Sequence, residues 1–380
     1  MKTLFLYGSL RHIPLLETVL GRRLKTDLLQ AELPDHQAHW AADLGFPFLA
    51  PEAGQTCPGL LLRVSAQDQA RLAYYEGGFG YDLRPVTVRA EGAEEAKTPA
   101  LAWFTTPGRF ASGGAFDLDT WVARRGAISL RTATELMSFY GLRPAEEAEK
   151  LRPMIEMRAA SRLMGEAEPV PDAPGGLTRA DVVTVQAAQP YTDYFAVEQH
   201  VLRFRQFDGQ MGPDVKLASF KATDAALVLP YDPVRDRVMM VEQFRMGPYV
   251  RGDRVPWQLE PIAGRVDAGE TPEQTARREA HEEAGLDLLD LRLIMRGYPS
   301  PGCMNEYYHI YLGLADLPDG IAGVGGLDSE SENIRSHIFG FDQAMQMFER
   351  GELRVVPLVN ALLWLARHRE HLRAAAQGAG

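Results

Sequence analysis

Short apolar runs bounded by turn residues alternate along this chain with longer runs at helical spacing, a pattern that predicts an α/β protein. In the first third, Thr3–Tyr7, Gly59–Val64, Tyr81–Arg89 and Ala100–Phe104 read as strands, with a helix over Ala66–Tyr74. From about Asp117 to Gly165 the spacing turns helical, as in LRTATELMSFYGL and EEAEKLRPMIEMRAASRLMGE. Its acidic cluster, Glu146–Glu149, reads as a solvated helix face. The stretch GEAEPVPDAPGG, residues 165–176, interrupts both periods with prolines and closing glycines and predicts a linker. Beyond it, Val182–Ala187, His200–Arg205, Ala225–Pro230, Val238–Phe244 and Leu291–Gly297 read as strands, and Pro357–Ala375 as a last helix. The expected organisation is a mixed domain over 1–115, a helical connector and linker over 116–176, and a second domain over 177–380.

One helix in the second domain carries chemistry. Thr271 is a good N-cap, Pro272 suits the first helical position, Gln274 completes a capping box, and Gly285 suits the C-terminus. The helix is therefore predicted over 272–284. Glu279, Glu282 and Glu283 stand at i, i+3 and i+4 and share one face, where three like charges repel unless a cation neutralises them. Carboxylate oxygens are hard ligands, so Mg²⁺ is the natural guest, with Mn²⁺ as the alternative. Taken in isolation, these residues are better explained as a solvated acidic helix laced by Arg277 and Arg278.

The flanking residues narrow the choice. Gly264, Glu270, Arg278, Glu279, Glu282, Glu283, Gly285 and Leu286 match G-x5-E-x7-R-E-U-x-E-E-x-G-U, with the small Ala280 in the other aliphatic slot. This is the Nudix box, and this half of the chain resembles a Nudix hydrolase. The resemblance implies an α/β/α sandwich around a mixed sheet, and metal-assisted attack of water on the pyrophosphate of a nucleoside diphosphate linked to a further group. It also implies that Glu279, Glu282, Glu283 and the Ala263 carbonyl are metal ligands, and that Arg278 pairs with Glu270 in a structural role.

Residues outside the box resemble the ADP-ribose pyrophosphatase subfamily: YPSPGCMNEYYHIYLG at Tyr298–Gly313, LPYDPVRDRVMMVEQFR and WQLEPIAG. The implied activity is cleavage of ADP-ribose to AMP and ribose 5-phosphate, with GDP-mannose or another nucleotide sugar as the alternative substrate. By the same resemblance Arg245 faces the diphosphate and Glu306 belongs to the substrate site, while Cys303 reads as a packed thiol. In GLDSESENIRSHIF, Glu330 falls on the general base and Glu332 on a further metal contact. The segment Tyr191–Met211 resembles strands that relatives exchange across a homodimer. There Tyr194 or Phe195 stacks on adenine or, equally well, is a core aromatic.

In the first domain, Tyr7-Gly8-Ser9-Leu10 follows a short apolar strand and can aim backbone N–H groups at an anion. With Gly59–Val88 it resembles the γ-glutamylcyclotransferase-like (AIG2-like) fold, a small mixed α/β barrel. Its L-D-x-x-E-G motif is matched by Leu72-Ala73-Tyr74-Tyr75-Glu76-Gly77, which places Glu76 in the acid/base position. Ala73 replaces the motif's Asp, and the arginine after Tyr81 is displaced to Arg84. The implied roles are cyclisation of γ-glutamyl amines or ligand sensing. The domain order is similar to that of TrgB-type tellurite-resistance proteins, a group named for a phenotype.

Composition then removes other classes. A net charge of −11 excludes the basic footprint that nucleic acid or anionic lipid requires. Two cysteines cannot form a disulfide framework, so a reducing compartment is expected. No apolar stretch reaches membrane-spanning length, and the N-terminus lacks a signal-peptide pattern. The sequence predicts a cytoplasmic enzyme that binds a small-molecule substrate and pairs as a homodimer.

Overall fold

The computed structural model describes residues 1–24, 28–42, 44–77, 80–91, 97–169, 176–326 and 333–378. The chain divides into two compact units, Met1–Ala167 and Glu168–Gly380.

In the first unit the described elements are β1 (Lys2–Leu6), α1 (Ile13–Leu20), β2 (Leu28–Ala41), β3 (Pro47–Val64), α2 (Ala66–Glu76), β4 (Asp82–Ala90), β5 (Lys97–Phe104) and β6 (Ser112–Ala115). Then come α3 (Leu118–Trp121), a π-helical turn over Val122–Gly126, α4 (Ala127–Met137), α5 (Ala145–Lys150) and α6 (Arg152–Ala167). Five strands run in the order β3-β1-β5-β4-β2, and β2 pairs back onto β3, so the sheet closes into a barrel. Closure removes the exposed strand edges that an open sheet would leave. β1 and β5 are parallel and the other barrel pairs antiparallel.

The core is built from Leu4, Phe5, Leu62 and Leu72, and Trp121, Leu136 and Ile155 of the later helices join it. The helical stretch set apart as a connector in the sequence thus belongs to the first unit, because its apolar stripe has the barrel to bury against. Strand β2 was not read from the sequence. Its register shifts between Pro34 and His36, and Asp35 adopts a left-handed φ of 56°, a bulge that interrupts the alternation. Glu149, expected on a solvated face, instead bonds the buried Arg152 at 2.8 Å.

In the second unit β7 (Val182–Thr192), β8 (Ala196–Phe204) and β9 (Val215–Lys221) form a small antiparallel sheet. The main sheet and its covering elements follow: β10 (Asp224–Asp232), β11 (Arg237–Phe244), α7 (Met246–Arg251), β12 (Trp257–Glu260), β13 (Ile262–Arg265), α8 (Pro272–Ala284), β14 (Asp290–Gly297), β15 (Tyr307–Leu314), β16 (Val324–Gly325), β17 (Ile334–Gly340), α9 (Phe341–Glu349) and α10 (Val356–Gly378). The sheet order is β14-β15-β10-β11-β17-β16, with β12 on β11 and β13 on β10. It is mixed, since β10 and β15 run parallel.

Strand β10 is buried along its whole length, as a central strand covered on both faces must be. Its Leu227, Leu229 and Tyr231 pack with Leu358, Leu362 and Leu365 of α10. Helix α8 covers the other face through the fully buried Ala276 and Ala280. The result is a helix–sheet–helix sandwich. The small Ala280 fits the tight seam between α8 and the sheet. Among the described residues no helix is long and apolar enough to cross a membrane.

Candidate active site

Helix α8 starts and stops where its caps direct. Thr271 Oγ1 accepts from the Gln274 N–H, the Gln274 side chain accepts from the Thr271 N–H at 2.8 Å, and Gly285 closes the helix at φ 64°. Strand β13 passes so close that a Cβ on Gly264 would lie 1.8 Å from Glu279 Oε1, so any larger residue there must displace that carboxylate. The backbone of Ala263, one residue earlier, therefore runs beside the acidic face of α8.

The carboxylates on that face are gathered by one guanidinium. Arg278 donates to Glu279 at 2.7 Å, to Glu282 at 2.9 Å and to Glu270 at 3.1 Å. Burial alone would lower the Arg278 pKa; its bond to Glu270 and the surrounding carboxylates raise it above the ordinary value instead. The Glu270 pairing expected from the sequence is present, and Arg278 also holds two predicted metal ligands. Among the described residues no three acidic, histidine or cysteine side chains stand together as a ready metal cluster.

Glu283 is turned inward, 3% exposed. Its charge acts on Arg245, which makes a two-pronged bond to Glu260 at 2.7 and 2.8 Å. Burial opposes the charge on Arg245, and Glu260 and Glu283 more than offset it. Glu306 adjoins the same group. Burial pushes its carboxyl up, against the lowering pull of Tyr308, Arg265 and Arg245.

Arg265, next to the tight Gly264, lies 4.1 Å over the Tyr194 ring and 5.2 Å over Phe195. Tyr194 is 57% exposed, so the core-aromatic reading fails. Cys303 is also exposed, in a turn where its thiol meets Ser300 Oγ at 3.2 Å, and is not the packed thiol expected. The structure thus brings together Arg245, Glu283, Glu306 and Tyr194, with Glu279 and Glu282 along α8. Glu330 and Glu332 lie outside the described residues. Glu260 and Arg265 sit inside motifs read from the sequence and were overlooked. Glu260 was visible as the lone carboxylate of WQLEPIAG, and Arg265 as the cation beside the box glycine.

The first unit holds a separate cavity of about 360 Å³. Tyr7, Gly8, Ser9 and Leu10 line it, with Glu76 at the end of α2. Gly8 is required because a Cβ would meet Pro47 Cγ at 2.6 Å. The Tyr81 hydroxyl donates to the Pro47 carbonyl at 2.7 Å and fixes the same corner. Burial pushes the Glu76 carboxyl up to about 7, only partly countered by Arg152. Burial, with the Glu76 charge beside it, pushes the Tyr7 and Tyr81 hydroxyls up as well, and Tyr81 adds to the shift of Tyr7. Arg84 lies over Phe104 and borders a different cleft. The cation beside Glu76 is Arg152, from α6.

An acidic helix flanked by a glycine loop on a mixed sandwich defines a Nudix-type domain, and a glutamate-bearing barrel precedes it. A NUDIX domain model matches residues 221–359, and a model described as gamma-glutamyl cyclotransferase, AIG2-like, matches residues 4–121. The chain is 37% identical over 193 residues to the ADP-ribose pyrophosphatase of Escherichia coli strain K12, covering 51% of this chain and 91% of that protein. It is 35% identical over 178 residues to the ADP-ribose pyrophosphatase of Haemophilus influenzae (46% and 81%). It is 34% identical over 149 residues to the GDP-mannose pyrophosphatase of Salmonella arizonae (39% and 75%). The chain belongs to the Nudix hydrolase family, whose members use divalent metal ions, and carries a cyclotransferase-like domain in front.

Proposed function

We propose that the second unit hydrolyses the pyrophosphate of ADP-ribose to AMP and ribose 5-phosphate. The observation that carries this reading is the grouping of Glu279 and Glu282 around one positive charge, beside the Gly264 cradle and next to Arg245, Glu260, Glu283 and Glu306. The same donor set fits a divalent cation: hard oxygens on one helix face, and a cleft held open where a Cβ would fill it. Mg²⁺ would be held by Glu279, Glu282, Glu283 and the Ala263 carbonyl, with Glu332 as a further contact. It would supply positive charge against the diphosphate oxygens and lower the pKa of a bound water.

The chain's own residues do the rest. Arg245, aligned by Glu260, presents a planar fork to a phosphate. Tyr194, with Arg265 against it, offers a ring face to the base. Glu330 takes the proton of the attacking water, whose oxygen bonds to phosphorus as the bridging P–O bond breaks. GDP-mannose is the alternative substrate, supported by the Salmonella relative. The test is Mg²⁺-dependent product release by the full chain from ADP-ribose, GDP-mannose, NADH and diadenosine polyphosphates. Preference for ADP-ribose supports the reading, and no turnover of any of them overturns it.

For the first unit we propose that Glu76 shuttles a proton while a γ-glutamyl amine cyclises to 5-oxoproline and releases its amine. A carboxyl held at about 7 suits that task. The exposed apolar residues of β7 and β9, among them Val183, Val185 and Leu217, suit pairing of two copies through the small sheet. A reducing, cytoplasmic setting suits the two free cysteines.

A further inference from the structure

The second unit holds a cavity of about 760 Å³ that shares Arg245 and Glu260 with the candidate active site and is lined further by Arg251, Asp253 and Arg354. Its volume is that of a ligand pocket. Local structure brings these residues together. Helix α7 begins after Arg245 and ends at Arg251, where Gly252 turns the chain at a left-handed φ of 88°. The Asp253 N–H donates to the Pro248 carbonyl at 2.9 Å and closes the turn, which leaves the Asp253 side chain only 13% exposed. Arg251 bonds that carboxylate. Arg354, from the segment between α9 and α10, stands 3.9 Å from it with 63% of its side chain exposed.

Charge says what such a cavity receives. Among the described residues its lining carries three guanidiniums against two carboxylates, one cation in excess, in a chain of net charge −11. Glu260 is engaged by both prongs of Arg245, so Asp253 alone answers Arg251 and Arg354. A guanidinium fork is matched by a phosphate or a carboxylate better than by neutral hydroxyls. The sequence of contacts says which part of a substrate arrives there. Tyr194 carries Arg265 against its ring, Arg265 and Arg245 both act on Glu306, and Arg245 lines the cavity. The cavity therefore lies at the end of this series away from Tyr194. With a base on Tyr194 and a diphosphate at Arg245, the sugar beyond the diphosphate is directed toward Arg251 and Arg354.

We propose that this cavity selects nucleoside diphosphate sugars whose distal sugar carries a further anionic group, a phosphate or a carboxylate, held by Arg354 and Arg251. The inference rests on the hydrolase reading of the Arg245 site and adds a preference that the neutral terminal ribose of ADP-ribose does not exploit. Arg251 and Arg354 determine specificity and take no part in the chemistry at phosphorus.

Steady-state hydrolysis by the full chain with Mg²⁺ tests it within two pairs of substrates: ADP-ribose against ADP-ribose phosphorylated on its terminal ribose, and ADP-glucose against ADP-glucuronate. The base is constant, so the ratio of kcat/KM within a pair reports the distal sugar alone, and the two pairs separate phosphate from carboxylate. The anionic member of at least one pair should be favoured about tenfold, through KM, with the preference shrinking as ionic strength rises. Arg354→Ala should bring the ratio close to one, and Arg354→Lys should keep part of it because the charge remains. A merely structural Arg354 would lower the melting temperature of the alanine variant and leave the ratio alone. Hydrolysis with no preference in either pair, or a preference unmoved by Arg354→Ala, overturns the inference and leaves the hydrolase reading standing. Absence of turnover, with tighter and Arg354-dependent binding of an anionic member in calorimetric titration, sinks the hydrolase reading and keeps the cavity's selectivity. Absence of both overturns the two together.

Discussion

The two units treat their glutamates in opposite ways. In the second unit, burial would raise the Glu270 carboxyl, but its bonds to Arg278 and Thr275 hold it below the ordinary value. Glu279 and Glu282 share the same guanidinium, and Glu260 is clasped by Arg245. In the first unit burial dominates, and Glu76 rises to about 7 with Arg152 offsetting only part of it. A carboxylate surrounded by cations is a fixed negative charge, suited to binding other cations. One kept near neutrality by burial is suited to exchanging a proton. The residue type is the same, and the environment assigns the task.

The comparison breaks most sharply if Glu283→Gln leaves pyrophosphate cleavage unchanged. We expect kcat to fall by at least about 10²-fold with the fold retained, checked by product release at saturating Mg²⁺ and by circular dichroism. Gly264→Ala comes next. Its Cβ meets the far end of a side chain, which can swing aside, so the fold should survive. The displaced carboxylate is Glu279, and a shift of that size should cost about 10- to 10²-fold in turnover. A fully active Gly264→Ala enzyme would remove Glu279 from the site.

The first-unit half of the comparison is sharpened by pH. Glu76 has a folded pKa of about 7 against an ordinary 4.5. Between those values the folded state binds more protons than the unfolded state. The unit is therefore favoured below about 4.5 and loses stability as pH rises through about 7. The loss is on the order of 3 kcal/mol. Glu76→Gln cannot titrate, so the difference in unfolding free energy between wild type and variant should change with pH across that window. Parallel pH profiles would show that Glu76 is an ordinary solvated carboxylate.

The two sites also differ in how far the sequence disclosed them. Helix α8 was legible to its ends, because Thr271, Gln274 and Gly285 are local signals that act within a turn. The acidic face followed from spacing alone. The cavity around Glu76 depends on residues far apart in the chain: Trp103 on a strand, Thr132 on α4 and Arg152 on α6. No local period marks such a meeting. Glu149 shows the same limit, since an acidic run looks solvated until Arg152 is found beside it. Strand β2 escaped because a bulge at Asp35 interrupts its alternation, and the helical extension could not be assigned before its barrel partner was known.

The smallest effect separates binding from chemistry in the second unit. Tyr194 stands in the β7–β8 turn with Arg265 against its ring and Phe195 5.0 Å away edge-on. An exposed ring held by a guanidinium is already oriented, so little freedom is lost when a base stacks on it. Removing it should weaken substrate binding without touching the carboxylates on α8. Tyr194→Ala is expected to raise KM for ADP-ribose about three- to tenfold with kcat near wild type, while Tyr194→Phe keeps the ring and stays within about twofold. Steady-state kinetics of both variants decide it. A fall in kcat at unchanged KM would place Tyr194 in the chemical step, and unchanged kinetics in Tyr194→Ala would move base recognition elsewhere in the unit.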